Sequence, residues 1–130
     1  MIADLFDLDR FVRAQSDGVY EQALDELNAG RKTSHWIWFI FPQHRDLGRS
    51  GTAKFYGLGG VEEAAAYANH PILGERLRKC CQAILPHLKI EPAAEILGPI
   101  DATKLRSSME IFAKAVPHEE LFRKVADAIR

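Results

Sequence analysis

The sequence of 130 residues has few cysteines, methionines and tryptophans, with two residues of each type. The two cysteines are neighbours, Cys80 and Cys81, so the chain can form neither a disulfide framework nor a four-cysteine zinc site. Its five histidines show no metal-ligand spacing. We therefore expect no metal and no cofactor.

The sequence also lacks an excess of either charge, because it contains 17 lysines and arginines and 18 acidic residues, with a formal net charge of -1. Duplex nucleic acid is disfavoured as a partner, since its binders carry a basic field. The longest apolar run is far shorter than the roughly 20 residues of a membrane helix. The first residues do not form a basic segment followed by an apolar one, so no signal peptide is visible. We expect a cytoplasmic protein without a membrane partner and leave its oligomeric state open.

Helical spacing of apolar residues occurs in nearly every segment, and a chain of this length suits one core. The clearest example is the face formed by Leu77, Cys80, Cys81, Ile84 and Leu85, which predicts that both cysteines lie in the core. The sequence predicts one all-α domain spanning residues 1–130, with six to eight short helices around a central aromatic segment.

Local signals predict where several helices begin and end. The carboxylates of Glu21, Asp25 and Glu26 are expected to point mostly outward from their helix. The signals are Asp7 and Asp101 as N-caps, Ser107 with Glu110 as a capping box, Gly30 as a helix end and Pro86 as a stop or kink.

The central aromatic segment is the most informative stretch of the chain. It consists of six bulky apolar residues without a break, Trp36, Ile37, Trp38, Phe39, Ile40 and Phe41. Its length suits a buried strand, but no second run of similar character could pair with it. A short buried helix and an irregular extended segment, ended in either case by Pro42, both remain open. Burial of the segment would deliver its polar flanks to one edge of the core, which is how a pocket is built.

The flanks supply the first candidate site residues. His35 is a candidate acid or base, or a ring that closes a turn by bonding a backbone carbonyl. Lys32 is a candidate anion ligand, or a cation placed at the end of a helix dipole. Gln43 either bonds a ligand or satisfies loop amides. Ser34 is a further candidate.

Both tryptophans are assigned to the site, Trp36 and Trp38, with one expected in the core and the other lining the pocket. A second polar cluster contains Asp101, Lys104 and Ser108, of which Ser108 lies on an apolar helix face where a buried hydroxyl needs a partner. The capping signals at Asp101 and Ser107 offer a structural explanation for the cluster.

Two further segments bear on a site. Arg76 is a candidate cation for an anionic ligand. Residues 47–60 contain five of the nine glycines and predict a long loop with one turn around 52–56. Long loops in small domains are often functional.

The motif Gly30-x-Lys32-x-Ser34-His35-Trp36-x-Trp38-Phe39-x-Phe41-Pro42-Gln43 resembles the signature of the bacterial family called domain of unknown function 1810. The similarity continues through Leu47-Gly48-x-Ser50, Tyr56, residues 63–77 and Asp101-x-x-Lys104-Leu105-x-Ser107-Ser108. It covers essentially the whole chain. The resemblance implies a compact, mostly helical domain and no established activity, catalytic residue or cofactor.

These observations favour binding, with or without processing, of a small anionic or nucleotide-like ligand at a pocket built on residues 30–45. The alternative is a protein-interaction or scaffold module without a small-molecule site. Convergence of Lys32, His35, Gln43 and Asp101 on one surface would favour the first. Whether the chain is an enzyme is left open.

Overall fold

All regular secondary structure is helical within residues 4–129, the part of the chain that the computed structural model describes. Five of the nine α-helices in this range have seven residues or more. Extended residues in it pair only at one isolated bridge, between His44 and Leu58. The helices are α1 (Asp9–Ala14), α2 (Val19–Ala29), α3 (Ile37–Ile40), α4 (Gly51–Phe55), α5 (Val61–Asn69), α6 (Leu73–Leu88), α7 (Ala93–Leu97), α8 (Pro99–Ala115) and α9 (Glu120–Ala128), with a 3₁₀ turn at Arg45–Leu47 between α3 and α4. The predicted all-α fold is confirmed.

The predicted domain limits include residues 1–3 and 130, which lie outside the described residues. Between positions 4 and 129, no helix combines the length and the apolar character needed to cross a membrane.

The two longest helices, α6 and α8, organise the hydrophobic core. Helix α8 packs against α5, α7 and α9, and α6 packs against α2, α5 and α9. Aromatic rings connect these layers, since the ring centroid of Phe112 is 5.4 Å from that of Tyr67 and 5.5 Å from that of Phe122. All three side chains are fully buried.

The vicinal cysteines lie in this core, as predicted, and both are fully buried. Burial raises the pKa of Cys80 to about 12 and raises that of Cys81 as well. Because the thiolate is the reactive form, neither thiol is activated for nucleophilic or redox chemistry near neutral pH.

One predicted helix end is confirmed, and a predicted helix stop is wrong. Gly30 ends α2 in the left-handed conformation at φ 75°, as predicted. Pro86 does not stop α6, which runs on to Leu88. Both Pro86 and Gln82, whose carbonyl loses its helical donor, are exposed, so water can replace the missing hydrogen bond.

The predicted N-cap at Asp7 is wrong. Asp7 itself has φ 52°, and the carboxylate of Asp4 accepts hydrogen bonds from the backbone N–H groups of Leu8 (2.8 Å) and Asp9 (2.9 Å). An acidic residue therefore binds the N–H groups at the start of α1, as expected, but this residue is Asp4 and not Asp7.

The two predicted caps near residue 101 are also wrong, because α8 is one continuous helix that begins with Gly98 and Pro99. Asp101 therefore lies in the first turn, and Ser107 lies in the middle of the helix. Proline is favoured at the first helical position, where its missing N–H costs nothing.

The aromatic segment forms the four-residue helix α3, which resolves the choice between helix and extended chain. Trp36 and Phe41, on either side of it, are almost fully buried. Helix α3 packs against α1, α6 and α8 and so lies at the centre of the fold.

A buried ion pair fixes the loop that follows α4. The guanidinium of Arg10 lies 2.6 Å from Glu63 and also donates to the carbonyls of Phe55 (2.9 Å) and Gly57 (3.1 Å). Glu63 in turn accepts from the backbone N–H of Gly59 at 3.0 Å. These bonds hold one end of the glycine-rich loop in place.

Candidate functional site

A single carboxylate, that of Glu26, organises the polar segment before the aromatic helix. It accepts hydrogen bonds from the backbone N–H groups of Thr33 (2.7 Å) and Ser34 (3.0 Å), from the Ser34 hydroxyl (2.6 Å) and from the indole Nε1 of Trp36 (2.9 Å). Gln22 adds a longer bond at 3.2 Å. The segment is therefore pinned at several consecutive residues.

The Glu26 carboxylate stays ionised far below neutral pH. Burial acts to raise its pKa, but the hydrogen bonds from Ser34, Thr33 and Trp36 together outweigh burial and lower the pKa to about 2. The expectation that Glu26 points outward is wrong, since its side chain is buried. Its donors come from a turn outside the helix, which helical periodicity alone does not describe.

Ser34 and His35 take different positions in this turn. The hydroxyl of Ser34 is occupied by Glu26, and its side chain is half-buried. The imidazole of His35 is exposed and makes no hydrogen bond within residues 4–129. A role for His35 as acid or base stays a prediction.

Lys32, Asp101 and Lys104 form a charged cluster between this turn and α8. The ammonium of Lys32 lies 2.8 Å from one Asp101 oxygen, and that of Lys104 lies 3.9 Å from the other. The side chain of Lys32 is 8% exposed and that of Asp101 is 18% exposed, so this pair is largely shielded from water. One carboxylate serves two ammonium groups, which leaves the cluster with one net positive charge.

Both tryptophans contact the ammonium groups of the cluster. The Lys32 nitrogen lies 5.1 Å from the ring centroid of Trp36, and the Lys104 nitrogen lies 5.4 Å from that of Trp38. Such distances allow cation–π attraction. Trp36 is in the core, and Trp38 is half-buried beside α8. The structure thus brings together five of the predicted site residues, from positions about 70 apart in the sequence.

A groove of about 530 Å³ opens next to this cluster, and we call it the α8 groove. Two predicted residues, Gln43 and Lys104, line it. The other lining residues are Leu47, Gly48, Arg49, Ser50, Ala53, Ile100, Thr103 and Ser107. Cationic, hydroxyl, amide and apolar groups therefore share one concavity.

Arg49, Ser50 and Thr103 are groove residues that the sequence did not reveal as site candidates. Arg49 was marked only by its place in the long loop, and Ser50 by that place and by the family motif. Thr103 and Ser107 line the groove because α8 is unbroken. Together with Ile100 and Lys104 they form one helix face, at spacings of three and four residues.

Arg76 is not brought to the α8 groove. Its guanidinium carbon lies 4.7 Å from the ring centroid of Tyr20, and it donates to the Gln15 amide oxygen at 3.3 Å. The Gln15 amide donates in turn to the Phe39 carbonyl at 2.7 Å, and the Tyr67 hydroxyl donates to the same carbonyl. Arg76 thus belongs to a polar network that supports α3 from within the fold.

Ser108 is fully buried, and its hydroxyl has no hydrogen-bond partner within the described part of the chain. It is not among the residues that line the α8 groove, although Ser107 next to it is. The structure therefore places Ser108 on the buried face of α8.

The chain is similar along nearly all its length to a solved structure of a conserved hypothetical protein, Rv1873 from Mycobacterium tuberculosis. The two share 44% sequence identity and superpose with a TM-score of 0.92, covering 97% of this chain and 89% of that one. No protein of curated description matches the chain. The model of one family, described as "Protein of unknown function (DUF1810)", matches residues 5–129, and the chain belongs to this family.

Proposed function

We propose that the protein binds a small anionic ligand in the α8 groove. The observation that carries this proposal is the weak pairing of Lys104. Its carboxylate neighbour, Asp101, already forms an ion pair with Lys32 at 2.8 Å. At 3.9 Å, Lys104 is the more weakly paired of the two lysines, and it lines the groove. Its positive charge is therefore available to an anion.

The groove supplies a second cation and neutral donors. Arg49 is exposed and has no carboxylate within 4 Å among residues 4–129. The Gln43 amide and the hydroxyls of Thr103 and Ser107 can donate hydrogen bonds to oxygen atoms of a ligand. Leu47 and Ile100 are exposed at 55% and 72%, and they offer apolar contact to the rest of a ligand.

Two residues at and beside the groove are held by contacts within the protein. Lys32 is fixed through its ion pair and through its backbone N–H, which donates to the Ile96 carbonyl at 2.8 Å. The backbone of Gln43 is held because its carbonyl accepts from the Leu58 N–H at 2.8 Å. Rigid placement lowers the entropy that binding must overcome.

Tryptophan fluorescence tests the proposal, because Trp38 lies beneath Lys104 and Trp36 is the only other tryptophan of the chain. Inorganic phosphate, nucleoside monophosphates and small dicarboxylates are titrated into the protein, and its thermal unfolding is followed in parallel. A ligand present at a hundredfold excess over its Kd stabilises the fold by about 2.7 kcal/mol.

Lys104→Gln is expected to weaken binding while leaving the melting temperature close to that of the wild type. The matched control is Lys79→Gln, which removes the same charge from an exposed position on α6 that does not line the groove. Absence of any fluorescence or thermal response across the panel would overturn the proposal and favour an interaction module. Equal weakening by both substitutions would show that only overall charge matters.

A further inference from the structure

A second concavity adjoins the α8 groove and is basic. It has a volume of about 840 Å³ and is lined by Arg45, Asp46, Leu47, Gly48, Arg49 and Lys54. Leu47, Gly48 and Arg49 line both concavities, so the two meet at this short stretch of backbone. We call the second one the basic concavity.

The lining of the basic concavity holds more cations than carboxylates. Arg45, Arg49 and Lys54 are exposed, and none of them has a carboxylate within 4 Å in the part of the chain that the structure describes. The one acidic lining residue, Asp46, is 87% exposed and lies 3.7 Å from His44. Three cations against one carboxylate give the lining a formal charge of +2, in a chain whose net charge is -1.

The backbone that joins the two concavities is firmly held. The N–H of Arg45 donates to the Leu58 carbonyl at 2.8 Å, and the Leu58 N–H donates to the Gln43 carbonyl at the same distance. Gln43 lines the α8 groove and Arg45 lines the basic concavity, so one bridge positions a residue of each. A Cβ at Gly48 would lie only 2.8 Å from that of Ala53, which shows how closely this backbone packs against α4.

We propose that the ligand carries at least two anionic groups of the phosphate type, one in the α8 groove beside Lys104 and one in the basic concavity beside Arg45 and Lys54. This inference rests on the proposed function and adds the chemical class of the ligand, namely a diphosphate or a larger polyphosphate ester with an apolar or aromatic body. Arg49 lies where the two concavities meet and contacts both groups. Guanidinium groups suit this task because they bind phosphate oxygens in bidentate geometry.

Two matched pairs of ligands test the inference by calorimetric titration: adenosine monophosphate against adenosine diphosphate, and inorganic phosphate against pyrophosphate. Within at least one pair, the ligand with two phosphates is expected to bind about tenfold more tightly, which corresponds to about 1.4 kcal/mol. Arg45→Gln and Lys54→Gln are expected to reduce this advantage and to leave the affinity for the single phosphate unchanged. Lys104→Gln should weaken both members of the pair, and Lys79→Gln should change neither.

The possible results separate this inference from the proposal on which it rests. Equal affinity for one and two phosphates would overturn the inference and leave the anion site in the α8 groove standing. An advantage that persists in both Arg45→Gln and Lys54→Gln would overturn the assignment of the second group to the basic concavity. If no ligand of either pair bound, the inference would be overturned, and the anion site in the α8 groove would then depend on the dicarboxylates of the fluorescence panel.

Discussion

Replacement of Glu26 by glutamine tests how the turn before the aromatic helix is held. Glu26→Gln keeps the shape of the side chain but removes its charge and turns one acceptor oxygen into a donor. The Ser34 hydroxyl, the Trp36 indole and two backbone N–H groups now point at this side chain. Some of these donors would lose their acceptor, and a buried donor without a partner costs about 1–3 kcal/mol.

The lowered pKa of Glu26 expresses the effect of the same hydrogen bonds in a second way. The pKa of Glu26 is 4.5 in the unfolded reference and about 2 in the folded protein. At about 1.4 kcal/mol for each pKa unit, this difference corresponds to roughly 3 kcal/mol of stability. Because the pKa is lowered on folding, the stabilisation is complete above pH 4.5 and is lost as the pH falls towards 2.

Urea unfolding of the wild type and of Glu26→Gln, followed by circular dichroism from pH 7 to pH 2.5, measures both effects. We expect a stability difference of about 2–3 kcal/mol above pH 5 that shrinks steadily between pH 4.5 and 2.5. Glu21→Gln, an exposed carboxylate on the same helix, is the control and should change little. A difference that did not depend on pH would refute the assignment of the low pKa to Glu26.

Three further predictions concern the neighbouring structure. Asp101→Asn should cost about 3 kcal/mol in urea unfolding because it leaves the Lys32 ammonium buried without a carboxylate, and Lys32→Met in the same chain should recover part of the loss; a single substitution that costs nothing would contradict the pairing. Gly30→Ala should cost at least about 1 kcal/mol, since its φ is 75° and a Cβ there would lie 2.7 Å from the His87 ring, and an unchanged urea midpoint would argue against this geometry. Cys80, with its pKa raised to about 12, should react with a disulfide reagent only as fast as the protein unfolds, whereas fast modification of the native protein would show that the thiol is accessible.

The general fold could be predicted from sequence because it depends on short-range signals. Apolar spacing located most helices, and Gly30 marked the end of α2. The aromatic run was identified as buried, although its conformation was not. A run of six apolar residues fits a strand or a helix equally well, and only packing against α1, α6 and α8 decides between them.

The residues of the charged cluster could be named in advance, but their pairing could not. Lys32 and Asp101 were both recognised as candidates, yet nothing in the sequence indicates that their side chains meet at 2.8 Å. The contact depends on where α7 and the start of α8 lie relative to the turn before α3. There the Lys32 N–H donates to the Ile96 carbonyl, five residues before Asp101. Long-range contacts of this kind have no local signature.

Buried charged groups were not foreseen: Glu26 was expected to point outward, and Arg10 was not singled out. Glu26 and Arg10 are charged residues on helices, and charged residues usually lie on the solvated face. Here the Glu26 carboxylate accepts hydrogen bonds from the backbone N–H groups of Thr33 and Ser34. The Arg10 guanidinium donates hydrogen bonds to backbone carbonyls of another loop. A buried charge is tolerated only when it is fully hydrogen-bonded. Burial of each residue therefore depends on a loop distant in sequence, whose backbone groups form hydrogen bonds with it.

The start of α8 connects these observations to the proposed ligand site. If Asp101 were the N-cap, its carboxylate would bond backbone N–H groups of the helix and neither lysine would be paired. Because Gly98 and Pro99 begin the helix instead, Asp101 lies in the first turn and its carboxylate contacts the buried Lys32. The charge of Lys32 is thereby satisfied within the protein. Lys104 lies one turn further along the same helix and lines the α8 groove. Its positive charge is the one in this cluster that a ligand anion can neutralise.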